Sequence, residues 1–365
     1  MSCVVIDPPR QQGKYVYQEE CCFSLISGWQ VPARALHIAT QLDAPYIPPL
    51  ESWDEFASAV DQYDAAWMIY SFPLSNWLDV PQRVRGKITA VCNPHTCSAS
   101  LDGAGFKATE TTLAYGLDVA ERLWPLFEGN HATIQVNSGC PFGCHYCVWN
   151  REAFPRKWLW ADPKLVAELS NRAKNPYLIC SQITGDHQWI DAFLTERKPI
   201  TSDEFSTDLN CAHMPAYEHD IRRLAENGMR TAVVGTEAFS DTSLARLGCP
   251  HTVDQSRQMV KLLAELWVTG KYQLRYGYGE TIEEIEENTR NLLRIAYDAN
   301  LVDSPHSIHV GAIFYWHPSK LSESLATVNH VRHGVPCQVQ APDEERKQAW
   351  LRSYAALRDA GLRIV

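Results

Sequence analysis

The chain has 365 residues, of which 45% are hydrophobic and 21% are charged, and its formal net charge is -10. This length suffices for one large α/β domain or two of ordinary size, and the acidic balance disfavours broad attraction to nucleic acid backbones or anionic lipid. The N-terminus has no signal-like segment and no apolar run reaches the ~18 residues of a membrane span, so we expect a soluble, intracellular protein of the cytoplasm that does not bind membranes.

The first third of the chain alternates apolar runs with helical patterns, as a doubly wound α/β domain does. The predicted strands are 3–7, 64–72 and 87–93, and the predicted helices are 33–42 and 52–63. We therefore predict a Rossmann-like domain over residues 1–125.

Beyond Gly129 the alternation begins again and continues through six predicted strands. These strands are 131–137, 176–183, 204–210, 230–239, 271–279 and 307–316, and the clearest helices between them are 218–228 and 281–299. Six β/α units predict a partial (β/α)6 barrel of the TIM type over residues 126–330, two units short of the usual eight. A last helix at 343–361 predicts a C-terminal helical extension over residues 331–365.

Three cysteines, Cys140, Cys144 and Cys147, follow the first predicted barrel strand with C-x3-C-x2-C spacing. In a parallel barrel the loops after the strands form the functional face. A structural zinc site wants four ligands, commonly as two separated pairs, and the sequence has no second pair. A 4Fe-4S cluster on three thiolates leaves one iron open for another ligand, so the spacing favours a cluster and leaves a zinc knuckle as the alternative.

The stretch CPFGCHYC (140–147) resembles the cluster motif of the radical S-adenosylmethionine (SAM) superfamily. In that superfamily SAM binds the open iron, and an electron from the reduced cluster cleaves it to methionine and a 5'-deoxyadenosyl radical. The resemblance implies a 4Fe-4S cluster on the three cysteines and SAM as cofactor beside Tyr146. It also implies an electron donor such as flavodoxin or ferredoxin.

Two further stretches resemble the radical SAM subfamily that carries an N-terminal cobalamin-binding domain. VVGTEAFSDTSLARLGCPHTVDQ (233–255) is similar to its "GIESGS...L..." stretch, and YGYGETIEEIEEN (276–288) to its "GFPGETEEDIEET" stretch. The resemblance implies that Glu237 faces SAM and that Gly235 lies with it in a cofactor-binding loop. A capping or ion-paired carboxylate is the alternative for Glu237. Gly277 and Gly279 would let the backbone approach adenine or substrate.

Other residues depart from the superfamily pattern after the second, third and fifth strands. Asp186, in TGDHQW (184–189) where "GGE" is usual, is predicted to be a loop residue rather than a ligand. Asp208 and Asn210 share a face in period two and are candidates for the SAM ribose, with turn-forming side chains as the alternative. Arg275 is a charge within a predicted strand, so it must be paired or face the barrel mouth, where it would hold a carboxylate of SAM or substrate.

Aromatic side chains cluster in sequence near the predicted strand ends. Most are expected in the core, and one or two are expected to wall the site or stack on a planar substrate. The residues concerned are Trp149, Trp158, Trp160, Trp189 and Trp316.

Cobalamin binding by the first domain stays open. VVIDPPR (4–10) and VCNPHTC (91–97) are similar to the "NPPR" and "GGPHAT" segments of the cobalamin-binding subfamily. However, Cys92 and Asn93 replace the glycines that allow close backbone approach, and no D-x-H-x-x-G motif is present in the sequence. We therefore predict a degenerate domain without cobalamin.

The reaction itself depends on that outcome. If cobalamin is absent, the favoured reaction is an isomerisation, a rearrangement or another non-methylating change of a substrate radical. If cobalamin is present, methyl transfer to an unactivated carbon is favoured. A non-catalytic metal-binding module is the third alternative. Small chains of this layout also resemble phage radical SAM isomerases that remodel amino-acid-substituted thymine, so a nucleobase or DNA substrate stays open, although the acidic balance argues against DNA.

Overall fold

The structure is a computed structural model that describes residues 2–7, 9, 31–69, 80–91, 107–109, 118–128, 130–147, 156–198, 204–313, 319–332 and 335–365. Parts of the two cobalamin-like segments (Pro8, Arg10 and residues 92–97) lie outside the described residues, as do Trp149 and Trp316.

In the described ranges the strands, in chain order, are β1 (Cys3–Ile6), β2 (Val31–Pro32), β3 (Tyr46–Ile47), β4 (Ala65–Ile69), β5 (Ile88–Val91), β6 (Lys107–Thr109), β7 (Ala132–Gln135), β8 (Asn137–Ser138), β9 (Leu159–Trp160), β10 (Tyr177–Ile179), β11 (Phe205–Asn210), β12 (Met229–Gly235), β13 (Thr269–Tyr276), β14 (Ser307–Ala312), β15 (Thr327–Arg332) and β16 (Val335–Gln340). The α-helices are α1 (Ala33–Gln41), α2 (Trp53–Asp61), α3 (Gln82–Arg85), α4 (Pro163–Arg172), α5 (His187–Glu196), α6 (Glu218–Glu226), α7 (Asp241–Leu247), α8 (Val253–Glu265), α9 (Ile282–Asp298), α10 (Lys320–Glu323) and α11 (Glu344–Asp359). Two 3-10 helices cover Glu121–Leu126 and Ile183–Gly185.

Local sequence signals fix the start of helix α9. The hydroxyl of Thr281 accepts a hydrogen bond from the backbone amide of Glu284 at 3.2 Å, and the Glu284 carboxylate accepts one from the amide of Thr281 at 2.8 Å. This capping box satisfies amides that the first helical turn leaves unpaired. The helix buries Ile285, Leu292 and Ile295 on one face, in agreement with their spacing in the sequence.

The N-terminal region contains a five-stranded parallel sheet with the order β3-β1-β4-β5-β6. Numbered within the sheet, this order is 2-1-3-4-5, one of the common orders of doubly wound α/β proteins. Successive residues of β1 face opposite sides: Val4 and Ile6 pack with Phe56, whereas Val5 joins the larger core. All three strands predicted here form, and β3 and β6 were not predicted.

The larger sheet is also parallel and has the order β14-β13-β12-β11-β10-β7-β2. Six of its strands, β7 and β10 to β14, are those predicted beyond Gly129. Within the sheet each of these six lies beside the next one in the chain, as in an arc of a β/α barrel. Among the described residues no strand pairing joins β14 back to β7, so the sheet is open.

Segments from outside the six units cover both edges of this sheet. At one edge β2 pairs with β7, with Val31 opposite Ala132. At the other, the amide of Ile308 donates to the carbonyl of Arg363 and the amide of Val365 donates to the carbonyl of Ile308, both at 2.9 Å. Covered edges leave fewer unpaired backbone groups. Part of the N-terminal region therefore belongs to the larger sheet.

The C-terminal residues form more than the expected helix. An antiparallel hairpin of β15 and β16, which the sequence patterns did not predict, precedes α11. Helix α11 packs on α9, and its Trp350 indole donates to Oε1 of Glu280 at 2.7 Å. Of the helices that the structure describes, none has the length and apolar character required to cross a membrane.

Candidate functional site

The three predicted cluster ligands lie together on the loop that follows β7 and β8, at the carboxyl ends of the parallel strands. Cys140, Cys144 and Cys147 are unbridged and partly buried. The amide of Cys147 donates to the carbonyl of Cys144 at 3.1 Å, which folds the second half of the loop into a turn. Burial, with a smaller effect of the nearby Cys144 thiol, raises the pKa of the Cys140 thiol to about 11. A metal that binds there would displace the proton.

The neighbouring strand holds the start of this loop in place. Ser181, just after β10, hydrogen bonds with the Cys140 thiol and donates its hydroxyl to the carbonyl of Gly139 at 3.0 Å. Its own amide donates to Oδ1 of Asn137 at 3.0 Å. These contacts hold the start of the loop, and with it Cys140, against the end of β10.

The middle of the loop is attached to the end of helix α7. The amide of His145 donates to the carbonyl of Leu247 at 2.7 Å, and its Nδ1 donates to the carbonyl of Arg246 at 3.0 Å. Gly248 ends the helix with φ 66°, and a Cβ atom there would lie 2.6 Å from the His145 ring. His145 therefore anchors the loop to the end of α7.

This attachment brings a fourth thiol to the site. Cys249, directly after Gly248, hydrogen bonds with Cys144. That hydrogen bond, together with burial, raises the pKa of the Cys249 thiol. Nothing in the sequence indicated Cys249, because no ligand spacing relates it to the other three cysteines. Two further cysteines of the larger domain bond elsewhere: Cys180 with Thr207 and Asp208, and Cys211 with Ser256.

Glu237 and Tyr146 lie beside the thiols. Glu237 follows β12, and its φ of 57° is the left-handed conformation that few residues with a side chain adopt. Burial raises the pKa of Tyr146, as do the nearby charges of Glu237 and of the surrounding thiols. A Cβ atom at Gly235 would lie 3.1 Å from Oε1 of Glu237, so the glycine leaves room for that carboxylate.

Arg275 is paired with Glu237. Its Nε lies 3.1 Å from Oε2 of Glu237, and its backbone amide donates to the Glu237 carbonyl at 2.8 Å. The guanidinium also hydrogen bonds with Gln273. On the next strand Gly311 faces it, where a Cβ atom would be 3.1 Å from Nη1. Glu237 is therefore ion-paired, which was the alternative for this residue. Arg275 in turn has the partner that a charge within a strand requires.

Asp208 and Asn210 have different surroundings. Oδ1 of Asp208 accepts from the Tyr177 hydroxyl at 2.6 Å and Oδ2 accepts from the amide of Cys180 at 2.9 Å. Both oxygens thus join β10 to β11, and burial raises the Asp208 pKa to about 7. Asn210 Oδ1 accepts from the amide of Ala212 at 2.7 Å, while its Nδ2 lies on the side of Gly235. Asn210 thus makes the turn-forming contact that was the alternative to ribose binding, and only its Nδ2 is directed toward Gly235.

Gln182 is a buried residue that the sequence patterns did not indicate. Its Oε1 accepts from the amide of Asn210 at 2.6 Å, and its Nε2 donates to Oγ1 of Thr184 at 2.6 Å. Asp186 caps helix α5 by accepting from the amide of Trp189 at 3.0 Å, so it is a loop residue as predicted.

The two glycines assigned to adenine or substrate face protein atoms in the structure. Gly277 and Gly279 have φ values of 84° and 81°, which explains why glycine is needed. Their amides donate to Glu280 and Gln340 respectively, each at 3.1 Å, and a Cβ atom at Gly279 would lie 2.5 Å from Leu325. Gly277 also lines a cavity of about 570 Å³ between α11 and the β13–β14 edge of the sheet. The positive φ and the packing of the C-terminal hairpin account for both glycines.

An aromatic wall runs along one side of the cysteine loop. Ring centroids of Phe142 and Trp158 are 5.8 Å apart, those of Trp158 and Trp160 are 6.0 Å apart, and those of Trp160 and Trp189 are 5.3 Å apart. The Trp158 indole donates to the Ser181 hydroxyl at 3.0 Å. Trp158 therefore connects the wall to the residue that positions Cys140.

The donor set fits a 4Fe-4S cluster. The three thiols lie on one loop that hydrogen bonds attach to Ser181 and to the end of α7, and they are soft ligands of the kind such clusters take. Among the described residues no three His, Cys, Asp or Glu side chains converge as the ligands of a single metal ion would. A cubane cluster sets a different requirement, because each thiolate binds a different iron.

Comparison with known proteins supports this assignment of the loop. Residues 134–292 match the sequence model of the radical SAM superfamily. No curated protein matches the sequence. Residues 134–292 contain the three cysteines, Glu237 and Arg275.

Solved structures with a similar fold include two proteins described as SAM radical enzymes. The methyltransferase TsrM from Kitasatospora setae, with tryptophan and a SAM analogue bound, has a TM-score of 0.68 at 11% identity over 99% of this chain and 89% of TsrM. The cobalamin-dependent enzyme OxsB, with aqua-cobalamin and SAM bound, has a TM-score of 0.59 at 13% identity over 80% of this chain. This match spans about half of OxsB, 52% of its length. At these identities the likeness establishes the fold.

Over residues 134–292, which contain the thiol loop that follows β8, the chain matches the radical SAM superfamily.

Proposed function

We propose that this protein is an enzyme that binds a 4Fe-4S cluster on Cys140, Cys144 and Cys147 and uses it with SAM. The observation that carries the proposal is the convergence of these thiols with Tyr146 and the Glu237–Arg275 pair at the carboxyl ends of the barrel strands. When bound, the cluster and SAM supply a 5'-deoxyadenosyl radical, which abstracts a hydrogen atom from a substrate carbon.

The charged pair suits the amino-acid part of SAM. SAM carries an ammonium and a carboxylate, and Glu237 and Arg275 offer the complementary charges side by side. Binding would exchange the contact between the two side chains for two contacts with SAM, so neither charge is left unpaired in the partly buried site. Asn210, beside Gly235, is proposed to reach the ribose.

The remaining side chains shape the site. Tyr146 is buried among the thiols, and Phe142 and Trp158 border the loop. We propose that they exclude water from the radical, and that one of the aromatic faces stacks on a planar substrate. A nucleobase is the proposed planar substrate, either free or in DNA. A small electron-transfer protein such as flavodoxin or ferredoxin is proposed as the reductant.

Rearrangement or isomerisation is the first proposed outcome, because Cys92 and Asn93 replace the glycines of the cobalamin loop. Cobalamin-dependent methyl transfer is the second candidate. It is supported by the 2-1-3-4-5 sheet and by the fold likeness to the two enzymes above.

Anaerobic reconstitution with iron and sulfide tests the central proposal. We expect about four irons per chain, and 5'-deoxyadenosine when the reduced protein meets SAM. Cys144→Ala should lose both, while Cys180→Ala, which removes a thiol bonded to Thr207 and Asp208, should keep both. One bound zinc with no SAM cleavage would contradict the proposal and support the metal-binding alternative.

A second measurement separates the two outcomes. The protein is incubated with hydroxocobalamin and passed through a desalting column, and the corrin absorbance of the protein fraction is recorded. A retained stoichiometric corrin supports methyl transfer. Loss of the corrin from protein that still cleaves SAM supports rearrangement.

A further inference from the structure

Cys249 is held against the cysteine loop by backbone geometry. Its amide donates to the carbonyl of Leu244 at 2.9 Å, and the amide of Gly248 donates to that of Ala245 at 3.0 Å, so the turn after α7 is fixed. The 2.7 Å bond from the His145 amide to Leu247 then places this turn directly beside the residue that follows Cys144.

The side chain of Cys249 has one well-defined partner. It is partly buried, packs against the main core and hydrogen bonds with the Cys144 thiol. It also lies near Cys147 and Glu237. Cys249 is thus a thiol next to a proposed ligand sulfur, on the side of the loop that faces Glu237.

We propose that the Cys249 S–H donates a hydrogen bond to the Cys144 sulfur when that sulfur binds iron, and that this bond raises the reduction potential of the cluster. The inference rests on the proposed cluster. Reduction adds negative charge to the iron and its sulfur ligands, so a donor on one of those sulfurs stabilises the reduced form more than the oxidised form. Cys249 is therefore a positioning residue whose effect acts through Cys144.

Contact with a ligand sulfur distinguishes this role from ligation. The three loop thiols and SAM together account for four irons, whereas Cys249 bonds to the sulfur of Cys144, itself one of those ligands. A donor should change the potential of the cluster without changing its iron content.

The test compares the wild type with Cys249→Ala, Cys249→Ser and the control Cys180→Ala, each reconstituted anaerobically. Iron per chain and the midpoint potential from an EPR-monitored redox titration are measured. We expect about four irons in every protein. Cys249→Ala should have a more negative midpoint, with the ratio of reduced to oxidised cluster at a fixed potential lowered on the order of fivefold, as for one hydrogen bond. The serine variant keeps a hydroxyl donor, so its midpoint should lie closer to that of the wild type. The midpoint of the control Cys180→Ala should equal that of the wild type.

Three outcomes would overturn the inference. One is an unchanged midpoint in Cys249→Ala, and another is an equal shift in Cys180→Ala. A third is loss of iron from Cys249→Ala, which would make Cys249 a ligand. If the alanine variant does not fold, Cys249→Val keeps the side-chain volume without the donor and is compared with the serine variant. Absence of a cluster from the wild type would instead refute the proposed function.

Discussion

Replacement of Arg275 by methionine should destabilise the apoprotein through the loss of the ion pair with Glu237. The two side chains are 22% and 12% exposed and lie 3.1 Å apart, so the pair is neither fully buried nor on the surface. Loss of one partner from a buried pair costs about 3–5 kcal/mol, and exposed pairs contribute about 0–1 kcal/mol. An intermediate cost of about 2 kcal/mol follows, because Glu237 stays behind with reduced access to water.

Urea unfolding of the metal-free protein under anaerobic conditions measures this cost. Arg290→Met is the matched control, since Arg290 pairs with Glu286 at 3.8 Å and the two side chains are 67% and 55% exposed. The control should change the free energy of unfolding by less than about 0.5 kcal/mol. The double variant Glu237→Gln/Arg275→Met should lose less unfolding free energy than the sum of the two single variants. Once one partner of the pair is gone, the second substitution only removes a charge that is already unpaired. Equal stability of the two arginine variants would refute the reasoning.

Three more changes test other parts of the structure. Because burial raises the pKa of Asp208 from 3.8 to about 7, its contribution to stability is full below pH 3.8 and is lost as the pH rises through 7. Asp208→Asn should therefore flatten the fall in unfolding free energy between about pH 4 and 7, and an unchanged slope there would contradict this. Gly248→Ala should push the turn away from His145, since the added Cβ would lie 2.6 Å from that ring. We expect it to reduce iron loading relative to the control Gly86→Ala, where no atom lies within 4 Å of the added Cβ. Equal iron loading of the two variants would argue against the anchoring role of His145. Thr281→Ala should lower the unfolding free energy by about 1 kcal/mol by removing the cap of α9, measured by urea unfolding, whereas Thr281→Ser should keep most of it.

The aromatic wall offers one further check on the site. Trp158→Phe keeps a ring beside Phe142 but removes the donor to Ser181. If Ser181 positions Cys140 as described, the variant should reconstitute more slowly and to a lower iron content than Trp160→Phe. Loading at the wild-type rate in both variants would indicate that the wall does not support the ligand loop.

The sequence alone determined the parts of this protein that depend on neighbours in the chain. Three of the five strands of the N-terminal sheet, six of the seven strands of the larger sheet and the starts of helices such as α9 follow from periodicity and capping residues, which act over a few positions. The three loop cysteines were also evident, because ligands on one loop must be closely spaced.

Tertiary structure decided which distant residues meet. Cys249 lies beside Cys144 only because α7 ends against His145, and Arg275 binds Glu237 only because β13 follows β12 in the sheet. The same holds for β2 at the edge of the larger sheet. Contacts between the ends of different strands depend on how the helices pack, and no local pattern in the sequence encodes that packing.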